Sequence, residues 1–87
     1  MRGVGDLADQ ARRAVVSAVL NLVEGLAARG GRRRQLLGVA HGSLQEAKAC
    51  VQLLGAAGVL PMDQARRSWR DIDRAGALAW GLLRKER

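Results

Sequence analysis

Few side chains in this 87-residue chain have the types and spacing for chemistry. His41 is the single histidine and Cys50 the single cysteine. Helical spacing puts His41 on an outward face and Cys50 on an inward one. A structural zinc site needs several Cys or His ligands at short intervals, and neither residue has one. A surface imidazole and a buried small hydrophobe are therefore expected. Gly30-Gly31 precedes a helix but lacks the strand and the lysine-serine pair of a phosphate-binding loop. These residues argue against an enzyme and call for no cofactor and no metal.

Arginine is the chemistry that remains. Arg29, Arg32, Arg33 and Arg34 crowd around the glycine pair, four guanidinium groups at the start of a helix. The helix dipole prefers anions there, so the cluster is misplaced unless something negative binds. A phosphate would resolve the conflict through backbone N–H groups and arginine forks. A solvated basic loop is the other reading, and both stay open. Arg66, Arg70 and Arg74 recur every fourth residue and form a second cationic stripe. Trp69 and Trp80 fall nearer the apolar side of the same segment, where packing is expected rather than base stacking.

A third polar group lies in the first half of the chain. Arg13, Ser17, Asn21 and Glu24 stack at i, i+4, i+8 and i+11. They could form a pocket, or a buried hydrogen-bond network that fixes helix register. Arg12, Ser43 and Glu46 belong with them, Glu46 being the expected partner of Arg12 or Arg13. If that arginine is buried, Glu46→Ala should cost about 3 kcal/mol.

The elements that must carry these residues are helices. Apolar content is Ala, Leu and Val, without Phe or Tyr, and no segment alternates with a period of two. Three long helices are predicted, over about 7–28, 32–57 and 61–85, in an all-α, antiparallel up-down bundle forming a single domain. Met1 to Gly5 should fray, Asp6 should cap the first helix, and Gly30-Gly31 should break the chain. Gly58 should close the second helix in a left-handed turn, and Pro61 should open the third. Gly38, Gly42 and Ala49 form a flat seam that a second helix could approach. Asp63–Arg67 and Arg67–Asp71 are i, i+4 ion pairs of a few tenths of a kcal/mol.

The first helix is apolar on too many sides. Leu7, Ala11, Ala14, Val15, Ala18 and Leu22 make one buried face, yet Val16, Leu20 and Val23 lie opposite it. A soluble helix of this kind must be covered twice. A chain this short buries only roughly 60–65% of its unfolded surface, so the second cover is expected from another subunit. Hydrophobic residues make up 48% of the chain, which argues against disorder. Fifteen Lys and Arg against eight Asp and Glu give a net charge of +7, which raises the odds of a polyanionic partner. A lone cysteine suits a reducing cytoplasm. The apolar run from Ala14 to Val23 is too short to span a bilayer, and the opening residues do not read as a signal peptide.

Two blocks carry a resemblance. Leu7-x-Asp9-Gln10-x-Arg12-Arg13-Ala14-x-Val16-Ser17-x-x-x-Asn21-Leu22-x-Glu24-Gly25 is similar to the core signature of the bacterial four-helix-bundle proteins known as the 23S rRNA intervening-sequence family. Leu37-x-Val39-Ala40-x-Gly42-Ser43-x-x-Glu46, followed by Leu53-Leu54-x-x-x-Gly58-Val59-Leu60, resembles that family's second stretch. The match spans residues 6–60. It implies a bundle subunit similar in fold to the accessory variability determinant of diversity-generating retroelements, which binds nucleic acid and a reverse transcriptase. It also implies a homopentameric ring with a basic surface. Two departures stand out. The family has a further helix before the first block, and the proline usual in its signature is here Val19.

The sequence thus leads to a cytoplasmic, non-enzymatic, oligomeric bundle that binds RNA or DNA nonspecifically through Arg29, Arg32, Arg33, Arg34, Arg66, Arg70 and Arg74. The alternative is a protein-interaction module whose exposed apolar face docks a partner helix.

Overall fold

The computed structural model describes residues 4–86, all of whose regular elements are helices: α1 (Val4–Ala27), α2 (Gly30–Ala56) and α3 (Met62–Arg84). α2 is the middle helix. It packs against both neighbours, which scarcely touch each other. Paired positions run in opposite numerical order. Gln10, Ser17 and Gly25 meet Glu46, Ser43 and Leu37 in turn. On the other side Ala65, Asp73 and Gly76 meet Gly55, Lys48 and Gln45. The result measures 43 × 25 × 15 Å.

Small residues set the spacing of these helices. Ala14 and Ala18 are the buried residues of α1 beside Gly25, and a Cβ on Gly25 would lie 3.1 Å from Leu37 Cδ2. At Gly55 a Cβ would come within 2.8 Å of the Ala65 Cβ, so α3 crosses α2 nearly at backbone contact. Ala18, Leu44 and Ala79 join all three helices, with Leu22, Ile72 and Ala75 packed around them. Among the described residues twelve apolar ones are buried, six of them alanine, and Leu37 is the largest side chain fully enclosed. Each alanine hides little more than one methyl, worth about 0.8 kcal/mol, so the core is thin for the length of helix it supports.

The termini of the helices differ from expectation in detail. α1 starts at Val4, so Asp6 lies in its first turn and not at the cap; Met1 to Gly3 fall outside the described residues. The first break comes at Ala28-Arg29, one step before the glycines. Arg29 is the extended cap residue (φ −132°, ψ 158°), and Gly30 begins α2 at φ 61°. Pro61 is the cap of α3 (φ −53°, ψ 140°) and not its first turn; its carbonyl accepts from Ala65 N–H at 2.9 Å. Proline restrains its own φ but leaves ψ free to be extended, which suits the cap as well as the first turn.

Gly58 is left-handed, at φ 76°, as its place after Ala56-Ala57 predicts. Its N–H donates to the Gly55 carbonyl at 3.1 Å and Val59 N–H donates to Leu54 at 3.1 Å, the paired bonds of a Schellman turn. The turn uses up carbonyls at the end of α2 and reverses the chain into α3.

Several faces are not as the periodicity predicts. Val15 is exposed, at the edge of the buried face of α1. His41 is half-buried, not outward: its ring lies 5.4 Å from that of Trp80, tilted by 42°. Trp80 leans against α2 from the rim and stays half open to solvent. Gly38 and Gly42 have open space where a Cβ would go, so within one chain no helix approaches that seam. Val16, Leu20 and Val23 are 57%, 57% and 63% exposed.

Candidate nucleic-acid interface

The arginines divide by what holds them. Arg33 is turned inward: its guanidinium pairs with Glu86 and donates to the Leu26 carbonyl at 3.0 Å. It thereby ties the end of α1, the start of α2 and the tail of α3 together. The Leu26 carbonyl is one that the last turn of α1 leaves without a helical donor, so the contact is a cap supplied by another helix. Arg29, Arg32 and Arg34 are exposed around it, and Arg34 borders a small depression with Gly30, Gly31 and Glu86.

Along α3 the four-residue spacing brings Arg66, Arg70 and Arg74 onto one exposed face. Among the described residues none of the three forms an ion pair within 4.0 Å. Arg70 Nε leans back on the Arg66 carbonyl at 3.4 Å. Arg67, between them in sequence, pairs with Asp63 at 3.5 Å, whereas no Arg67–Asp71 pair forms. The two arginine groups are not one patch. Arg33 and Glu86 mark one end of α2, while Arg66 lies beside Gly55 and Ala56 at the other. A helix of 27 residues separates those ends by about 40 Å.

Trp69 stands among the α3 arginines and does more than pack. Lys48 Nζ sits 4.9 Å from its ring centre, and Asp73 fixes that ammonium at 2.8 Å. Beyond the ring an apolar cleft opens between the end of α2 and the start of α3, lined by Gly55, Ala56, Met62 and Ala65 with Gln52 and Arg66 at its edge. Arg66, Trp69 and Arg70 frame an adjoining hollow. Sequence reasoning missed this cleft because it treated the tryptophan and the arginines as separate faces. The signal was present in the interleaving of Arg66, Trp69 and Arg70.

The polar group of α1 is smaller than its sequence spacing promises. Ser17 and Ser43 hydroxyls lie 3.1 Å apart across α1 and α2, and Asn21 Nδ2 donates to the Ser17 carbonyl at 2.8 Å. These three are half-buried; the serine pair joins the two helices, and Asn21 braces Ser17 from within α1. Arg13 and Glu24 are exposed and make no bond within that cluster, but with Arg12, Ser17 and Asn21 they border a shallow hollow on the outer side of α1, beside Val16 and Leu20. Arg12 pairs with Asp9 at 2.7 Å, and Glu46 accepts from Gln10 at 3.2 Å, so Glu46 meets neither arginine. Among the described residues no polar or charged side chain is buried. Glu46→Ala therefore removes one exposed hydrogen bond, and the expected loss falls to about 0.5 kcal/mol or less. The reason is register: Arg12 and Arg13 point off the α2 side of α1, and the serine pair occupies the contact line.

Cys50 is buried, and burial, followed by the negative charge of Glu46, raises its thiol above the ordinary value of 9.0. Among the described residues no three His, Cys, Asp or Glu side chains gather where they could hold a metal, and no helix is long and apolar enough to cross a membrane. Comparison with protein-family models, with curated proteins and with solved structures gives no match.

Proposed function

We propose that this chain is a cytoplasmic, non-enzymatic subunit of antiparallel up-down helical bundle type, which assembles with copies of itself and binds RNA or DNA nonspecifically through arginine. The observation that carries the reading is the α3 row of Arg66, Arg70 and Arg74, exposed and unmatched by carboxylates on a chain of net charge +7. Arg29, Arg32 and Arg34 extend the contact surface at the far end of α2. Arg33, engaged with Glu86, serves the fold first. The resemblance to the 23S rRNA intervening-sequence family supports the same reading. By it the assembly is a ring of five.

Binding of labelled single strands and duplexes across a salt series tests it. Each phosphate neutralised contributes a log–log slope of about −0.9 on duplex and about −0.7 on single strands. The three α3 arginines alone therefore contribute a slope near −2 on a single strand, and Arg66→Ala should lessen the total by about 0.7. Affinity indifferent to salt contradicts the proposal.

A second reading rests on Val16, Leu20 and Val23. Their exposure on the outer side of α1 suits a protein-docking module, with charge serving solubility. That reading expects a partner helix on α1 and no polynucleotide binding at low salt.

A further inference from the structure

The Trp69 cleft sets an indole beside apolar walls and exposed arginine. Lys48, whose side chain is only 19% exposed, is clamped by Asp73 and braces the ring from the side of the later turns of α3. The cleft opens on the opposite side, since its α3 wall is Met62, Ala65 and Arg66, all earlier than Trp69. Side chains of a helix lean toward its N-terminus, so the indole is directed into that opening. The floor is kept shallow and smooth by Gly55 against Ala65, where no further methyl fits. Arg66 stands at the rim, and Arg70, one turn and about 6 Å of rise further on, frames the adjoining hollow with it and Trp69. No carboxylate lines either hollow. Of the carboxylates on this part of α3, Asp63 pairs with Arg67 and Asp73 with Lys48, while the exposed Asp71 lines neither hollow.

We propose that this cleft binds one unpaired nucleobase of a single-stranded nucleic acid, stacked against Trp69, with the adjacent phosphates held by Arg66 and Arg70. The proposal rests on the nucleic-acid reading above and narrows it from charge to a particular seat. An aromatic platform beside a guanidinium pair recognises the base face and the phosphate at once, and such stacking is tolerant of sequence. Bases in a duplex are already stacked on each other, so a duplex keeps only the phosphate contacts. Gln52, with an amide that donates and accepts, stands where a base edge would pass.

The test uses the full chain carrying Trp80→Phe, so that Trp69 is the only indole, titrated at low salt with labelled oligouridylate, labelled oligothymidylate and a labelled duplex. Strand anisotropy reports binding and Trp69 emission reports stacking. Both single strands are expected to bind and to quench Trp69; the duplex should bind without quenching. Trp69→Ala should weaken single-strand binding about 5- to 100-fold and leave the duplex unchanged. Trp69→Phe, which keeps the packing, should lie between, with helicity by circular dichroism equal to the parent. Single strands that bind without quenching, or that bind Trp69→Phe and Trp69→Ala as tightly as the parent, overturn the cleft while leaving the arginine reading intact. No anisotropy change with any strand overturns both.

Discussion

Neighbouring residues of one type take opposite roles in this molecule. Arg33 bonds Glu86 and the Leu26 carbonyl while Arg32 and Arg34 face water, a division that no count of charges contains. Ionisation of Cys50 bears on stability. Its thiol is held protonated in the folded chain by burial and by the charge of Glu46, so folded and unfolded chains differ in bound protons only once the unfolded thiol begins to ionise. Its contribution is whole below about pH 9.0 and is lost as pH rises through the higher folded value. Urea unfolding across the alkaline range should show wild-type stability falling more steeply than that of Cys50→Ala; parallel curves would contradict this. The residue types were readable in advance and their partners were not. Cys50 follows from helical phase alone, whereas Glu46 turned to Gln10 because two serines hold the α1–α2 contact line.

At the level of the helix, glycine has two meanings here. Gly55→Ala forces a methyl to within 2.8 Å of another methyl fixed to a backbone, so the helices must part. A loss of about 1–3 kcal/mol is expected in urea unfolding. Gly42→Ala meets open space and sits inside α2, so helix propensity should raise stability by about 1 kcal/mol. Opposite shifts in midpoint for the two variants would establish α2–α3 contact at Gly55 and vacancy at Gly42. The helices and the Gly58 turn were legible because local rules write them: apolar period, alanine and leucine content, and a glycine after the last turn. The boundaries at Val4, Arg29 and Pro61 moved by a few residues because caps depend on backbone angles more than on residue type. Trp80 and His41 could not be placed from phase, since each sits at the border between buried and exposed arcs.

Viewed whole, the protein leaves much of its apolar surface uncovered. Val19, Leu26 and Leu78 join Val16, Leu20 and Val23 among side chains half exposed or more, over a core that is half alanine. If copies cover the outer side of α1, Leu20→Glu should lower the mass seen by light scattering to that of one chain with the helix signal retained, and Arg66→Ala should not. The fold class was legible at this scale; the arrangement of charge was not, because the two arginine groups are adjacent to different ends of α2 and only the packing reveals it.

Because α2 lies between its neighbours in space as it does along the chain, nearly every interhelical contact joins helices that are adjacent in sequence. No distant segment has to be found before the first gain in burial. Chains of this kind assemble one hairpin after another, within microseconds to milliseconds. Rapid-mixing refolding should therefore be nearly complete within the instrument dead time, and the nascent chain would hold its first two helices together before the third had left the ribosome.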